Sequence, residues 1–179
     1  MKEYGNHVLT SRKIRFRFAS LLGVIVKRID LTTEELLICR LLGVMRRSSA
    51  MHSVKDRQVG KNDTWAIDID GMVGEYCVAK HLNVCPDLTV GPRKGGADLI
   101  SRTKQRVDVK TTRVPDGRLL ATMEKAEDPC DIYILVIVDD KGGNIMGYAT
   151  KEQLFSPENV TDLGHGNGYA MTQDRLMAL

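Results

Sequence analysis

The chain has 179 residues, 42% hydrophobic and 27% charged, the makeup of one soluble globular domain with no room for a second full one. A chain of this length buries about two thirds of its unfolded surface on folding, so neither disulfides nor a structural metal is needed to hold its core. The net charge of +3 is too small to imply a polyanionic partner unless the cations cluster.

Taken in chain order, Lys13-Ile14-Arg15-Phe16-Arg17-Phe18 alternates cations with apolar residues, as a half-buried strand does, and Val24 to Ile29 is its expected partner. The apolar run between them, Ala19 to Val26, is too short for a membrane span and closes at Lys27 and Arg28. No small-residue cleavage site follows it, so a secretion signal is not expected and the cytoplasm is the expected location. Thr32 with Glu35 forms a capping box for a helix from about Thr33 into the mid-fifties. Asp70 can cap a second helix, from about Gly71 to Leu82, that stops at Asn83 before Pro86. Strands are predicted over Ala97 to Ser101, Arg106 to Thr112, Arg118 to Met123 and Asp131 to Val138, the last buried on both faces. Gly142-Gly143 is expected to turn the chain into Ile145 to Ala149, and Thr150 with Gln153 to cap a short helix ending at Phe155. Gly164-His165-Gly166-Asn167-Gly168 reads as a loop. The class is α/β around one sheet, with an N-terminal extension (1–62) packed on a core (63–179) as a single compact unit.

Cys39, Cys77, Cys85 and Cys130 lie too far apart for a zinc ribbon or a redox pair and read as reduced, mostly buried thiols. The histidines form no metal-ligand spacing. The cations do cluster. Arg40, Arg46, Arg47, Lys55, Arg57 and Lys61 face Asp56 alone, and Arg93, Lys94, Arg102, Lys104, Arg106, Lys110 and Arg113 face Asp98 and Asp108.

Two features carry chemistry. On the second helix, an advance of about 100° per residue sets Met72, Gly74, Val78, Ala79 and Leu82 on one arc with Glu75 in its middle, while Tyr76, Cys77, Lys80 and His81 take the other side. A carboxylate on the core stripe needs a cation, a metal or a donor network opposite it, and a structural ion pair satisfies that need as well as a site does. On the Arg106 to Thr112 strand, Arg106, Asp108, Lys110 and Thr112 share one face, so a carboxylate and an ammonium project side by side. The preceding strand brings Asp98 opposite Asp108 only if the connecting loop is odd in length or bulged. Clustered carboxylates suit Mg²⁺ or Mn²⁺, which would polarise a phosphoryl oxygen and acidify a bound water. Lys110 would orient that water or stabilise negative charge on the scissile phosphate. Arg93, Lys94, Arg102 and Lys104 would neutralise a nucleic-acid backbone, with Arg113 touching it beyond Lys110. The match Asp139-Asp140-Lys141 reads instead as a hairpin tip.

A helix bearing Gly74-Glu75, a strand-borne Asp98 and the Asp108-Val109-Lys110 strand resemble the core of the PD-(D/E)XK nucleases, over about Trp65 to Ala149, and small phage-borne members above all. The resemblance implies a restriction-endonuclease-like fold, a mixed central sheet flanked by helices. It implies metal ligation by Asp98, Asp108, the Val109 carbonyl and Glu75, with Lys110 catalytic. Ala97 stands where the family name has proline, and Asp108 where glutamate is commoner. The family's helix between the Asp108 strand and the buried strand falls here on Leu120 to Asp128, which supplies only a short one. The expected function is metal-dependent DNA hydrolysis, with a homodimer left open. The alternatives are a nucleic-acid-binding or regulatory protein without cleavage, and a structural protein in which Glu75, Asp98, Asp108 and Lys110 form a salt network.

Overall fold

The structure, a computed structural model, describes residues 26–51, 63–91, 96–164 and 166–179. The expected Lys13 to Phe18 strand, the helix beyond Met51 with Lys55, Arg57 and Lys61, the cations Arg93 and Lys94, and His165 lie outside the described residues.

The first strand, β1 (Lys27–Asp30), runs antiparallel to β6 (Gly142–Thr150), Lys27 opposite Ile145 and Asp30 opposite Gly142. Arg28 of β1 forks onto Asp139, with Nη1 2.7 Å from Oδ2 and Nη2 3.1 Å from Oδ1. Helix α1 (Thr33–Met51) opens on the expected reciprocal cap: the Glu35 N–H donates to Thr32 Oγ1 at 3.2 Å and the Thr32 N–H to Glu35 Oε2 at 2.7 Å. Helix α2 begins at Thr64 rather than Gly71 and runs to Leu82, because Asp63, not Asp70, accepts the free Trp65 N–H, at 3.0 Å. Asp70 lies inside the helix. The expected stop at Asn83 holds, in the left-handed conformation that ends a helix.

Cys77 is placed by the helical arc on the outer side, yet it is fully buried. The reason is the sheet itself: the Cys77 sulfur lies 3.9 Å from the Ile29 carbonyl of β1, and a Cβ on Gly143 of β6 would lie 3.4 Å from the same sulfur. α1 packs on another flank of α2, where Gly43 permits close approach, since a Cβ there would lie 2.7 Å from the Ile69 Cα.

Five strands form the main sheet in the order β1-β6-β5-β3-β2, where β2 is Leu99–Ile100, β3 Arg106–Thr112 and β5 Ile132–Asp139. Only β3 and β5 are parallel, Val107 opposite Ile132. β2 is shorter than expected, and its hairpin has an odd loop, one of the two conditions for setting Asp98 opposite Asp108. Ser101 N–H donates to Gln105 O at 2.9 Å, leaving Arg102, Thr103 and Lys104 to turn, the last at φ 68°. The β5–β6 turn is Asp140-Lys141, not Gly142-Gly143. Gly142 instead starts β6 at φ 143°, where a Cβ would lie 2.2 Å from the Ile29 carbonyl, so the glycine allows β1 to close on the sheet.

The crossover from β3 to β5 holds β4 (Leu119–Thr122) and a 3₁₀ turn (Met123–Glu127) in place of an α-helix. β4 leaves the main sheet and pairs with β8 (Asn167–Met171), which pairs with β7 (Val160–Asp162). This second sheet was not expected, and part of the glycine-rich loop belongs to it: Gly168 lies inside β8, where a Cβ would meet the Ala121 carbonyl at 2.7 Å. Helix α3 (Lys151–Leu154) carries the expected Thr150–Gln153 capping box.

The main sheet separates two apolar layers. Ile134, Val136 and Val138 of β5 face α1 and α2 together with Val107 and Val109, while Tyr133, Leu135 and Ile137 face the small sheet. β5 is thus buried on both faces, as its composition predicts. Cys39, Cys77 and Cys130 are buried and Cys85 is exposed. A thiol reagent should therefore label one of the four cysteines quickly in the native protein and all four in denaturant. Rapid labelling of a second native thiol would contradict this packing.

Candidate active site

β3 sorts its side chains as the alternation predicts. Val107 and Val109 enter the layer under α2, and Asp108, 2% exposed, enters the other beside Tyr133. Asp98 is fastened on both sides of Asp108: its N–H donates to Val107 O at 2.9 Å and its Oδ2 accepts the Val109 N–H at 2.8 Å. The Asp98 side chain thus takes the ladder bond that a longer β2 would have made. Within a strand the N–H and C=O of one residue point the same way, so the Val109 carbonyl aims toward the same edge of β3.

Asp108 is held by two ammonium groups. Lys110 pairs with Oδ1, and Lys125 of the 3₁₀ turn approaches Oδ2 at 3.2 Å while binding Asp128 Oδ2 at 2.6 Å. A carboxylate this buried is expensive unless paired, and these cations offset the cost. Oδ1 is buried and meets Lys110 as a contact ion pair. Burial pulls the Lys125 pKa down, but the hydrogen bond to Asp128 and the nearby Asp108 charge outweigh it and hold the ammonium above the usual lysine range. Burial, and then the Asp108 charge, push the Cys130 thiol up to about 11, with Asp98 adding a smaller push.

Glu75 is not brought to this cluster. α2 packs its small-residue face on the opposite side of β3, where a Cβ on Gly74 would lie 2.0 Å from Thr111 Cγ2. There Glu75, 6% exposed, receives Arg46 Nη1 on both oxygens, at 3.0 and 2.8 Å. Arg46 also donates to Thr89 O at 3.1 Å and Asp87 O at 2.8 Å, tying α1, α2 and the segment after α2 together. A cleft of about 400 Å³ runs along the sheet edge on this side, past Arg46, Gly71, Glu75, Val109, Lys110 and Thr111.

Of the expected nucleic-acid contacts, Arg102 and Lys104 are exposed on the β2–β3 loop. Arg113 is exposed too, but its guanidinium is engaged by Asp70 at 2.7 Å and Asp140 at 2.9 Å. The hydrogen bond to Asp70, then that to Asp140, raises its pKa further, so much of its charge is already balanced. Lys125 and Asp128 are the residues that sequence reasoning missed. Glu124-Lys125-Ala126-Glu127-Asp128 has the composition of a solvated turn, and no local signal says that it folds over Asp108.

Among the described residues no group of three or more His, Cys, Asp or Glu side chains is placed to hold a metal ion. What the edge offers is two carboxylates and a carbonyl, with one buried carboxylate oxygen, Asp108 Oδ1, that meets Lys110 as an ion pair and makes no hydrogen bond among the described residues. That set suits Mg²⁺, which keeps several waters and commonly takes only one or two protein carboxylates. No described helix is long and apolar enough to cross a membrane. Fold and site together define a mixed α/β domain with a carboxylate–lysine cluster on a sheet edge. No family model, no curated protein and no solved structure matches this chain.

Proposed function

We propose that the protein is a metal-dependent nuclease that hydrolyses phosphodiester bonds in DNA, on a restriction-endonuclease-like fold, at the edge of β3. The observation that carries this reading is the fastening of Asp98 around Asp108, beside Lys110, where the β2–β3 ladder stops among the described residues. Asp98, Asp108 and the Val109 carbonyl would hold Mg²⁺ or Mn²⁺, which supplies an acidified water and polarises a phosphoryl oxygen. Lys110 brings a positive charge to that edge, suited to stabilising the charge that develops on a phosphate. Lys125 holds the second oxygen of Asp108 and so fixes the plane of that carboxylate. Arg102 and Lys104 supply contacts to the phosphate backbone that carry no sequence information.

A second reading, a nucleic-acid-binding protein without cleavage, draws support from the two lysines that already balance Asp108. The deciding experiment is incubation of supercoiled and linear DNA with the protein in Mg²⁺, Mn²⁺ or EDTA, beside Lys110→Ala. Nicking in the divalent metals that EDTA and the substitution both abolish is the expected result. An inert wild-type protein that still binds DNA in a salt-sensitive way would favour the second reading.

A further inference from the structure

The two ammonium groups at Asp108 are not held alike. Lys110 comes from the same strand and, among the described residues, pairs with Asp108 alone, at Oδ1. Lys125 is tethered: its Nζ lies 2.6 Å from Asp128 Oδ2 as well as 3.2 Å from Asp108 Oδ2. The turn that carries it is closed by the Asp128 N–H, which donates to the Lys125 carbonyl at 3.2 Å, and pinned by Lys151, whose Nζ donates to the Asp128 carbonyl at 2.8 Å. From the core beneath, the Tyr133 hydroxyl donates to the Lys125 carbonyl at 3.4 Å. Drawing Lys110 away from Asp108 breaks one ion pair on a half-buried side chain, whereas Lys125 stays at Asp108 as long as its turn stays folded. Oδ1 is therefore the oxygen that can be yielded to another cation, and Oδ2 the one retained.

Asp98 shows the same division, because its Oδ2 is committed to the Val109 N–H at 2.8 Å. Each of the two carboxylates thus keeps one oxygen on the protein. Hard cations differ in what they can make of that. Ca²⁺ gathers about six to eight oxygens and takes a carboxylate through one oxygen or both, whereas Mg²⁺ is octahedral and is satisfied by one or two carboxylates and several waters. Among the described residues no third acidic, His or Cys side chain joins the pair, so an oxygen withheld from Ca²⁺ is not made up by another side chain.

We infer that Lys125 determines the metal specificity of this site: by keeping Asp108 Oδ2 it confines that carboxylate to one oxygen and sets the site for Mg²⁺ or Mn²⁺ against Ca²⁺. The inference rests on the nuclease reading, and its test separates the two. Titration calorimetry of the full chain with MnCl₂ and with CaCl₂, without DNA, gives the ratio of the two Kd values. The wild type should bind Ca²⁺ at least about tenfold more weakly than Mn²⁺, and Lys125→Met should narrow that ratio by about tenfold. Loss of a cation also draws in every divalent ion alike, so the charge-balanced pair Lys125→Met with Asp128→Asn is measured beside it and should show the same narrowing. That pair carries the test if Lys125→Met alone fails to fold, since it leaves Asp128 no charge to balance. Lys125→Arg, which keeps a donor on Oδ2, should retain the wild-type ratio. Equal tightening of both ions with an unchanged ratio overturns the inference and leaves the nuclease reading standing. A wild-type protein that binds no Mn²⁺ overturns both.

Discussion

Arg46→Ala is expected to lower the unfolding free energy by about 3–5 kcal/mol, read as a fall in the urea or guanidinium midpoint at unchanged slope. The substitution removes the guanidinium that meets both oxygens of Glu75, and it does so where water has little access to either partner. It also takes the Nε and Nη2 donors away from the Thr89 and Asp87 carbonyls, so the loss is not confined to one pair. The desolvation cost of the remaining carboxylate dominates this figure rather than the attraction between the ions. The double variant Arg46→Met with Glu75→Leu should therefore recover much of the loss, since an apolar pair of similar volume leaves no charge buried. A loss below about 1 kcal/mol for Arg46→Ala alone would rank the pair with exposed ion pairs and contradict the burial described above.

Cleavage should divide by the face of the sheet. Lys110→Ala is expected to reduce the rate by about 10²–10³-fold, the size of losing one charge-stabilising group, and Asp108→Asn by at least as much. Glu75→Gln is the informative comparison. The amide keeps a hydrogen bond to Arg46 and loses the charge, so stability should fall while cleavage per folded molecule stays within about tenfold of wild type. The PD-(D/E)XK resemblance would make Glu75 a metal ligand, whereas its double contact with Arg46 is that of a brace between α1 and α2. Abolition of cleavage by Glu75→Gln in a fully folded protein would return Glu75 to the site. Plasmid nicking rates in Mg²⁺, normalised to the folded fraction, make this measurement.

What the sequence made legible was whatever depends on neighbours along the chain. The faces of β3, the double burial of β5 and the caps at Thr32 and Thr150 follow from period and spacing alone, whereas the odd loop at Arg102 to Lys104 was only a condition for bringing Asp98 opposite Asp108. The start of α2 was obscured because Asp63, Asp68 and Asp70 all have capping chemistry, and the choice among them rests on contacts elsewhere: Asp70 is engaged by Arg113. Glu75 was recognisable as a carboxylate in need of a partner, but that partner stands 29 residues earlier in the chain, on α1. One available signal would have separated Glu75 from Asp108. The apolar stripe of α2 packs on the apolar face of β3, and Asp108 belongs to the other. The small sheet of β4, β8 and β7 was hidden because glycines that serve strand contacts resemble glycines that serve turns.

The pairing of β1 with β6 has a consequence for the order in which the molecule assembles. β5 and β6 are joined by a two-residue turn and can form a hairpin on the microsecond scale, but Arg28 must find Asp139 at a sequence separation of 111. Closing so long a loop is opposed by entropy that only the finished contact repays, so β1 docks after the sheet it edges. The same imbalance acts in the native state. Four residues held by one neighbouring strand among the described residues are released more easily than a strand paired on both edges, and amide exchange along β1 should outpace exchange at the centre of β5.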